Sequence, residues 1–395
     1  MEKEYQKTIY ACFIGYIVQA IVNNFVPLLF VTFHDSYGIP LSKITLLVTF
    51  NFGLQLLVDL LSVGFVDRIG YRASMLLAHG LSAVGLFLLP VLPELFADPF
   101  IGLLIAILIY AVGGGLLEVL ISPVVESCPT DNKEKAMSLL HSFYCWGQVG
   151  VVLVSTLFFA VFGIQNWKIL AMLWAVIPVL NGLFFIGVPI APLIEDGETG
   201  MKLGELLKNG LFWILFLMML CAGASEQAVS QWASALAERG LGISKTLGDL
   251  AGPMTFGILM GISRAFYGKY GDKIRLERFM GASALLCIAS YLLIALVPVP
   301  ALGLVGCALC GLSVGIMWPG TSSMAAASMR RGGTALFALL ALAGDLGCSS
   351  GPTLAGFVSG VYGDNLRRGI LAAVIFPIAL LVSLLLIKRR RSVEG

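Results

Sequence analysis

Charged side chains are scarce in this chain. They make up 12% of its 395 residues, against 58% that are apolar, and histidine occurs three times. A soluble domain carries about 25% charged residues, so this excess of apolar side chains cannot be hidden in one core, and a soluble enzyme is excluded. A paired nucleophile and base, metal-ligand spacing and a cofactor motif are all missing. The run Gly113-Gly114-Gly115 follows no strand and precedes no P-loop lysine, which removes an ATP-driven pump; close helix packing is what three glycines offer there. The eight cysteines fall mostly inside apolar runs. Cys307 and Cys310 form a CxxC without a histidine partner and are expected to pack rather than ligate. No cofactor, metal or nucleic-acid partner is expected. The opening MEKEYQK is mixed in charge and leads into an apolar run longer than the roughly 7–15 residues of a signal core, so no leader is expected.

What is present is a series of long apolar runs. A membrane-crossing helix needs about 20 such residues, and twelve runs qualify: 8–33, 44–66, 73–92, 99–125, 136–163, 168–190, 209–236, 246–268, 277–298, 300–325, 334–360 and 366–387. The expected fold is an all-α polytopic membrane protein. Of the 25 lysines and arginines, six (Lys43, Lys168, Arg239, Lys245, Arg367 and Arg368) fall on one side of this topology and 19 on the other. Positive charge gathers on the cytoplasmic side. Both termini are therefore expected there, in a multi-pass plasma (inner) membrane protein surrounded by lipid bilayer.

A polar stretch at 191–208 separates six spans from six. It is read as a cytoplasmic linker between an N-terminal bundle, 1–190, and a C-terminal bundle with a basic tail, 209–395. The halves echo one another. Pro123 in the fourth span and Pro319 in the tenth both follow glycine-rich stretches. A shift of 197 residues aligns Gly147 with Gly344, Gln148 with Asp345 and Gly150 with Gly347. Matching interruptions in two hydrophobic halves point to a repeat-built transporter of two six-helix bundles related by a pseudo-two-fold axis.

Chemistry at membrane depth must come from buried acids. Asp59, Glu118, Glu226 and Asp345 alone lie well inside spans, and each would cost at least about 2.5 kcal/mol facing lipid at the bilayer centre. All four are expected to face the bundle interior as proton-coupling candidates. Burial disfavours the charged form, so protonation near neutral pH is physically available. The 1.5 Å rise per residue puts Asp59, Glu118 and Asp345 near the midplane and Glu226, at roughly 25 Å, toward the outside. Asn23, Asn24 and Gln227 share the level of Glu226. Glu118 lies five residues before Pro123, where a helix interruption is expected to free backbone groups to line a cavity. Gln55 and Asp59 share a helix face, as do His141 and Tyr144. Glu226, Gln227 and Gln231 cluster within a turn and a half. Trp232 and Trp318 offer rings either for stacking on a solute or for packing. His79 has no evident partner and is expected in the core.

The loop DRIGYR, Asp67–Arg72, resembles the signature loop of the major facilitator superfamily, with its leading glycine one position late at Gly64 and Val63 in the usual place. GGGLLEVLISPVVESCPTD (113–131), LLHSFYCWGQVG (139–150), GASEQAVSQW (223–232) and GIMWPGTSS (315–323) are similar to the fucose/glucose permease-like branch. The resemblance implies an inner gate in which Asp67 pairs with Arg68 or Arg72 in one access state; an ordinary positive-inside turn is the alternative. Asp272, beside Lys273 and Arg275, is the weaker counterpart. Arg264 either snorkels or faces the cavity. Glu118 matches a glutamate that takes part in proton coupling in that branch, whose second acid is replaced here by Pro27; either Asp59 or Glu226 substitutes for it, or the coupling ion differs. His141 and Tyr144 fall where that branch carries amides that contact sugar; Gln148 joins the same candidate surface. The function expected is alternating-access, proton-coupled symport of a small polar organic solute such as a sugar, by a monomer and not an enzyme. An exporter of amphipathic compounds and a non-transporting membrane sensor or scaffold are the alternatives.

Overall fold

The computed structural model describes residues 2–129, 133–190, 203–329 and 333–394. Among them every regular element is helical, and the chain divides into two compact units, Met1–Glu195 and Asp196–Gly395. Of the expected linker 191–208, residues 191–202 lie outside the described residues, and Leu203–Lys208 is a short helix. The side chains of Asp67, Arg68 and Asp272 also lie outside them.

In the first unit the opening span comes in two pieces. α1 (Glu2–Asn24) stops ahead of Pro27, a 3₁₀ turn covers Val26–Leu29, and α2 (Phe30–Tyr37) continues. α3 (Leu41–Ile69) and α4 (Tyr71–Leu88) meet at Gly70, whose φ of 83° lies in the region that side chains resist. That requirement explains the glycine of DRIGYR. α5 (Pro99–Ser127) begins with two start signals at once: the Asp98 carboxylate accepts from the Phe100 N–H at 3.0 Å, and Pro99 takes the first position. α6 (Lys133–Phe162) and α7 (Trp167–Gly187) complete the unit. The interruption expected at Pro123 is absent, because α5 runs through it unbroken to Ser127. One missing N–H is tolerated in a span whose neighbours pack closely.

The second unit opens with α8 (Gly210–Ser230), capped by Asn209. The eighth span is composite: Lys245–Asp249, a π turn at Leu250–Met254 containing Pro253, then α9 (Thr255–Tyr270). α10 (Leu276–Leu296) follows. The tenth span breaks into α11 (Pro300–Val314) and α12 (Met317–Ser328). α13 (Gly333–Val361), α14 (Leu366–Ala373) and α15 (Ile375–Glu394) close the chain.

Ten helices among the described residues are long and apolar enough to cross a membrane. The two remaining expected spans are helical as well. The eighth carries Lys245, Asp249 and Arg264, and the eleventh mixes Asp345 with a run of Gly and Ser. Leucine, valine and phenylalanine crowd the exposed faces of both units, among them Leu61, Val161, Leu180, Leu285 and Phe357. Bare apolar faces on this scale suit a lipid environment.

Helices approach closely where glycine allows it. A Cβ on Gly113 would meet the Ala78 carbonyl at 2.6 Å, and one on Gly115 would meet the Gln55 backbone at 3.1 Å, so the triple glycine seats α5 against α4 and α3. His79 is buried and bridges elements: one ring nitrogen bonds the Met75 carbonyl at 2.7 Å, and the other receives Asn181 Nδ2 at 2.8 Å. Asn181 also donates to the Ala11 carbonyl, tying α7 to α1. At the end of α7, Arg72 donates to the carbonyls of Phe185, Ile186 and Val188. A guanidinium there satisfies the last carbonyls and complements the helix dipole.

Candidate functional site

The polar residues of the first unit gather from α1, α3 and α5. Gln19 of α1 donates to Glu118 Oε2 at 2.8 Å. An oxygen of Asp59, on α3, lies within 4.8 Å of one of Glu118. One turn beyond Gln19, Asn23 Oδ1 accepts from Gln55 Nε2 at 2.9 Å and from Asn51 Nδ2 at 3.3 Å. A Cβ on Gly114 would sit 3.4 Å from the Gln55 amide carbon, so the triple glycine is what brings this amide layer against α5. Asn24 donates to the Ala20 carbonyl and stays within its own helix. Gln19 and Asn51 belong to this cluster although sequence reasoning passed over them. The signal was present for Gln19, since it stands four residues before Asn23 on the same helix face.

α6 contributes a second surface. His141 is exposed, and its ring lies 5.6 Å from that of Tyr16, whose hydroxyl is 2.9 Å from Ser122 Oγ on α5. Tyr144, one turn along, is half-buried, and Gln148 is buried. Next to Gln148, Gly147 packs on Ile17 and Ala20 of α1.

In the second unit a hydrogen-bonded row runs along α8. Gln231 donates to Gln227 at 3.1 Å, and Gln227 donates to Glu226 at 3.2 Å. Glu226 is 8% exposed and faces a cation: Arg264 Nη2 of α9 stands 3.6 Å from its Oε2. Arg264 Nε also donates to the Gly315 carbonyl at 3.2 Å. Arg264 therefore turns into its unit, and the contact brings it to the level of Glu226, which the count of residues along the spans places much farther toward the outside. Asp345 on α13 is 6% exposed. Its neighbour Gly344 lies under the Trp318 ring, where a Cβ would come within 2.1 Å of the indole.

The two tryptophans separate. Trp232 is fully buried, and its indole N–H donates to the Pro352 carbonyl at 3.0 Å, so it offers no face to a solute and is a core residue. Trp318 is half-buried beside Asp345. Of the gate residues, Arg72 caps α7 and Arg264 pairs with Glu226. All eight cysteines are buried thiols. One buried polar group that sequence reasoning missed is Asp249, which accepts from Ser234 at 2.5 Å and pairs with Lys245 at 3.1 Å. It lies in the first turn of the eighth span and so falls outside the set of acids well inside spans.

Apolar helices that carry polar clusters folded inward on both units define a multi-pass membrane protein. A family model for the Major Facilitator Superfamily matches residues 12–352, and the chain belongs to that superfamily. No curated protein sequence matches it. Among solved structures, it is similar to a bacterial homologue of the human lysosomal transporter Spinster, with 14% identity, 98% of each chain covered and a TM-score of 0.79. A D-xylose–proton symporter shares 15% identity over 97% of each chain, with a TM-score of 0.76. The E. coli fucose:proton symporter shares 17% identity, covering 96% of this chain and 98% of its own, with a TM-score of 0.66.

Proposed function

We propose that this transporter moves a small polar organic solute, such as a sugar, together with a proton by alternating access. The observation that carries the reading is the carboxyl pair of the first unit, Asp59 and Glu118, with oxygens within 4.8 Å and Gln19 holding one of them. Two like charges this close repel, and protonating one of them relieves the repulsion. Asp59 then supplies the second acid that the permease-like resemblance found missing on span 1. Asp345 and Glu226 are the further proton candidates, and Asn23, Asn24, Gln55, His141, Tyr144, Gln148, Gln227, Gln231 and Trp318 the solute surface. Amides and hydroxyls at this density suit hydroxylated solutes, whose groups both donate and accept. Two of the structures it resembles are sugar–proton symporters, which is consistent with this chemistry.

On this reading each six-span half, 1–190 and 209–395, is one bundle of a monomer in the plasma membrane with both termini cytoplasmic, and Asp67, Arg68 and Asp272 work at the inner gate. The test is a sugar uptake screen in proteoliposomes with an imposed pH gradient. Accumulation of a neutral sugar that collapses with a protonophore is expected. Accumulation that follows sodium and ignores the pH gradient refutes proton coupling, and extrusion of amphipathic dyes without sugar uptake refutes the solute class.

A further inference from the structure

Pro319 is the third residue of α12 and has no N–H. In a continuous helix that N–H would bond the carbonyl of Gly315, four residues back. The tenth span breaks there, between Val314 and Met317. The carbonyl that Pro319 strands is taken by Arg264 Nε at 3.2 Å, while Nη2 of the same guanidinium faces Glu226 at 3.6 Å. The backbone of α9 is pressed against the break: a Cβ on Gly315 would lie 2.7 Å from the Met260 carbonyl, and one on Gly311 would lie 2.2 Å from that of Phe256. One planar side chain thus joins a buried carboxylate on α8 to a helix break between α11 and α12. Its fork is rigid, so its two ends cannot be repositioned independently.

We propose that Arg264 is a positioning residue that passes the charge state of Glu226 to the break in the tenth span. With Glu226 ionised, the guanidinium is held at both ends and the break is pinned to α9. With Glu226 neutral, the fork loses the charge of that partner, the bond to Gly315 loosens, and the segment from Gly311 to Pro319 is free to rehinge. The groups facing Glu226 are Arg264 from α9, Gln227 from its own helix and the Cys310 thiol from α11; the Tyr291 hydroxyl of α10 bonds the adjacent Ser225 carbonyl. Arg264 is the cation among them, so the loss of charge on Glu226 falls on it. This inference is independent of the solute and of the carboxyl pair in the first unit.

Hydrogen–deuterium exchange of the full-length protein in detergent, read on peptides covering 311–322 and corrected for intrinsic rates, tests it without any substrate. R264Q should raise exchange there by about tenfold, the loss expected of one hydrogen bond to a charged group. E226Q should raise it by a smaller factor, because the Nε bond remains. P319A supplies the missing N–H to Gly315, so P319A/R264Q should return toward wild type. A structural role alone would not give pH dependence. Exchange in wild type should rise as acidification neutralises Glu226, and that rise should vanish in E226Q. R264Q exchange equal to wild type overturns the proposal, as does a pH response that survives in E226Q. If R264Q does not fold, R264K decides: an ammonium cannot serve both partners, so wild-type exchange with an intact pH response in R264K also overturns it.

Discussion

The two halves of this chain treat a carboxylate inside a span differently. The first sets Asp59 beside Glu118 and gives Glu118 an amide, Gln19; the second sets Glu226 against a guanidinium, Arg264. In a low-dielectric interior, an acid paired with a base is balanced while both are charged, and breaking it leaves a lone buried charge. Two acids together repel until one of them takes up a proton. The first arrangement is suited to taking up and releasing protons, and the second to holding elements in place until its acid is neutralised. The two halves thus use opposite electrostatic logic, and at different positions of the repeat.

The largest effect separates the two acids by function. Glu118→Gln keeps shape and the contact with Gln19 but cannot carry a proton. Uptake driven by a pH gradient should fall to background, while counterflow at equal concentrations persists. Both are measured on one reconstituted sample. Driven uptake that survives intact would hand the coupling role to Asp59, Asp345 or Glu226; loss of both activities in a folded variant would make Glu118 a solute ligand.

Next in size is the ion pair. Arg264→Ala strands Glu226 at 8% exposure, and removing one partner of a buried pair costs about 3–5 kcal/mol. The apparent melting midpoint in detergent should fall sharply, whereas Glu118→Gln, which leaves no uncompensated charge, should shift it little. Replacing both members, Glu226→Leu with Arg264→Leu, should recover most of the loss. Equal midpoints for Arg264→Ala and Glu118→Gln would erase the contrast between the halves.

A subtler asymmetry concerns two glycines that the 197-residue shift aligns. Gly150 has nothing within 4 Å of where a Cβ would sit; at Gly347 that Cβ would lie 2.0 Å from the Leu220 carbonyl. Gly150→Ala should be neutral or slightly stabilising, since alanine favours a helix by about 0.5–1 kcal/mol over glycine. Gly347→Ala forces α13 away from α8 and should cost about 1–3 kcal/mol. Thermal midpoints of the two variants check this directly, and equal values would mean the two helix crossings are equivalent.

These contrasts mark what the sequence could and could not show. Span length and apolarity made the helical membrane fold legible, because lipid demands both. The four acids inside spans were legible for the same reason, and glycine spacing announced close packing. Pairing between spans was not legible. Whether Arg264 snorkels or turns inward depends on which neighbours surround it, and periodicity carries no such information. Trp232 looked like a stacking ring because its type suits one; only packing shows both its faces covered. Pro123 and Pro319 read alike, yet α5 runs through the first and the tenth span breaks just before the second, since neighbouring contacts decide how a missing N–H is absorbed.

The smallest expected effect lies at the rim of the first unit. There the Glu94 carboxylate accepts from Lys168 at 2.6 Å and from the Tyr37 hydroxyl at 2.8 Å, and Lys43 pairs with Asp98 at 2.8 Å. The Lys168 bond first, and the Tyr37 bond after it, hold the Glu94 carboxyl below the usual glutamate range. A lowered folded value means the folded state binds the proton less readily than the unfolded chain. The contribution is therefore complete above the unfolded value, near pH 4.3, and is lost as pH falls through the lower folded one. Because Glu94 is half-exposed, the pair is screened and worth at most about 1 kcal/mol. Glu94→Gln should lower the melting midpoint slightly at neutral pH, and the gap to wild type should close on acidification and narrow in high salt. The rim of the second unit answers differently, since Asp249 is buried with Lys245 and Ser234. Asp249→Asn should cost more than Glu94→Gln, and its deficit should persist in high salt. A Glu94→Gln deficit equally insensitive to salt would mean that the first unit's rim is as dry as the second's.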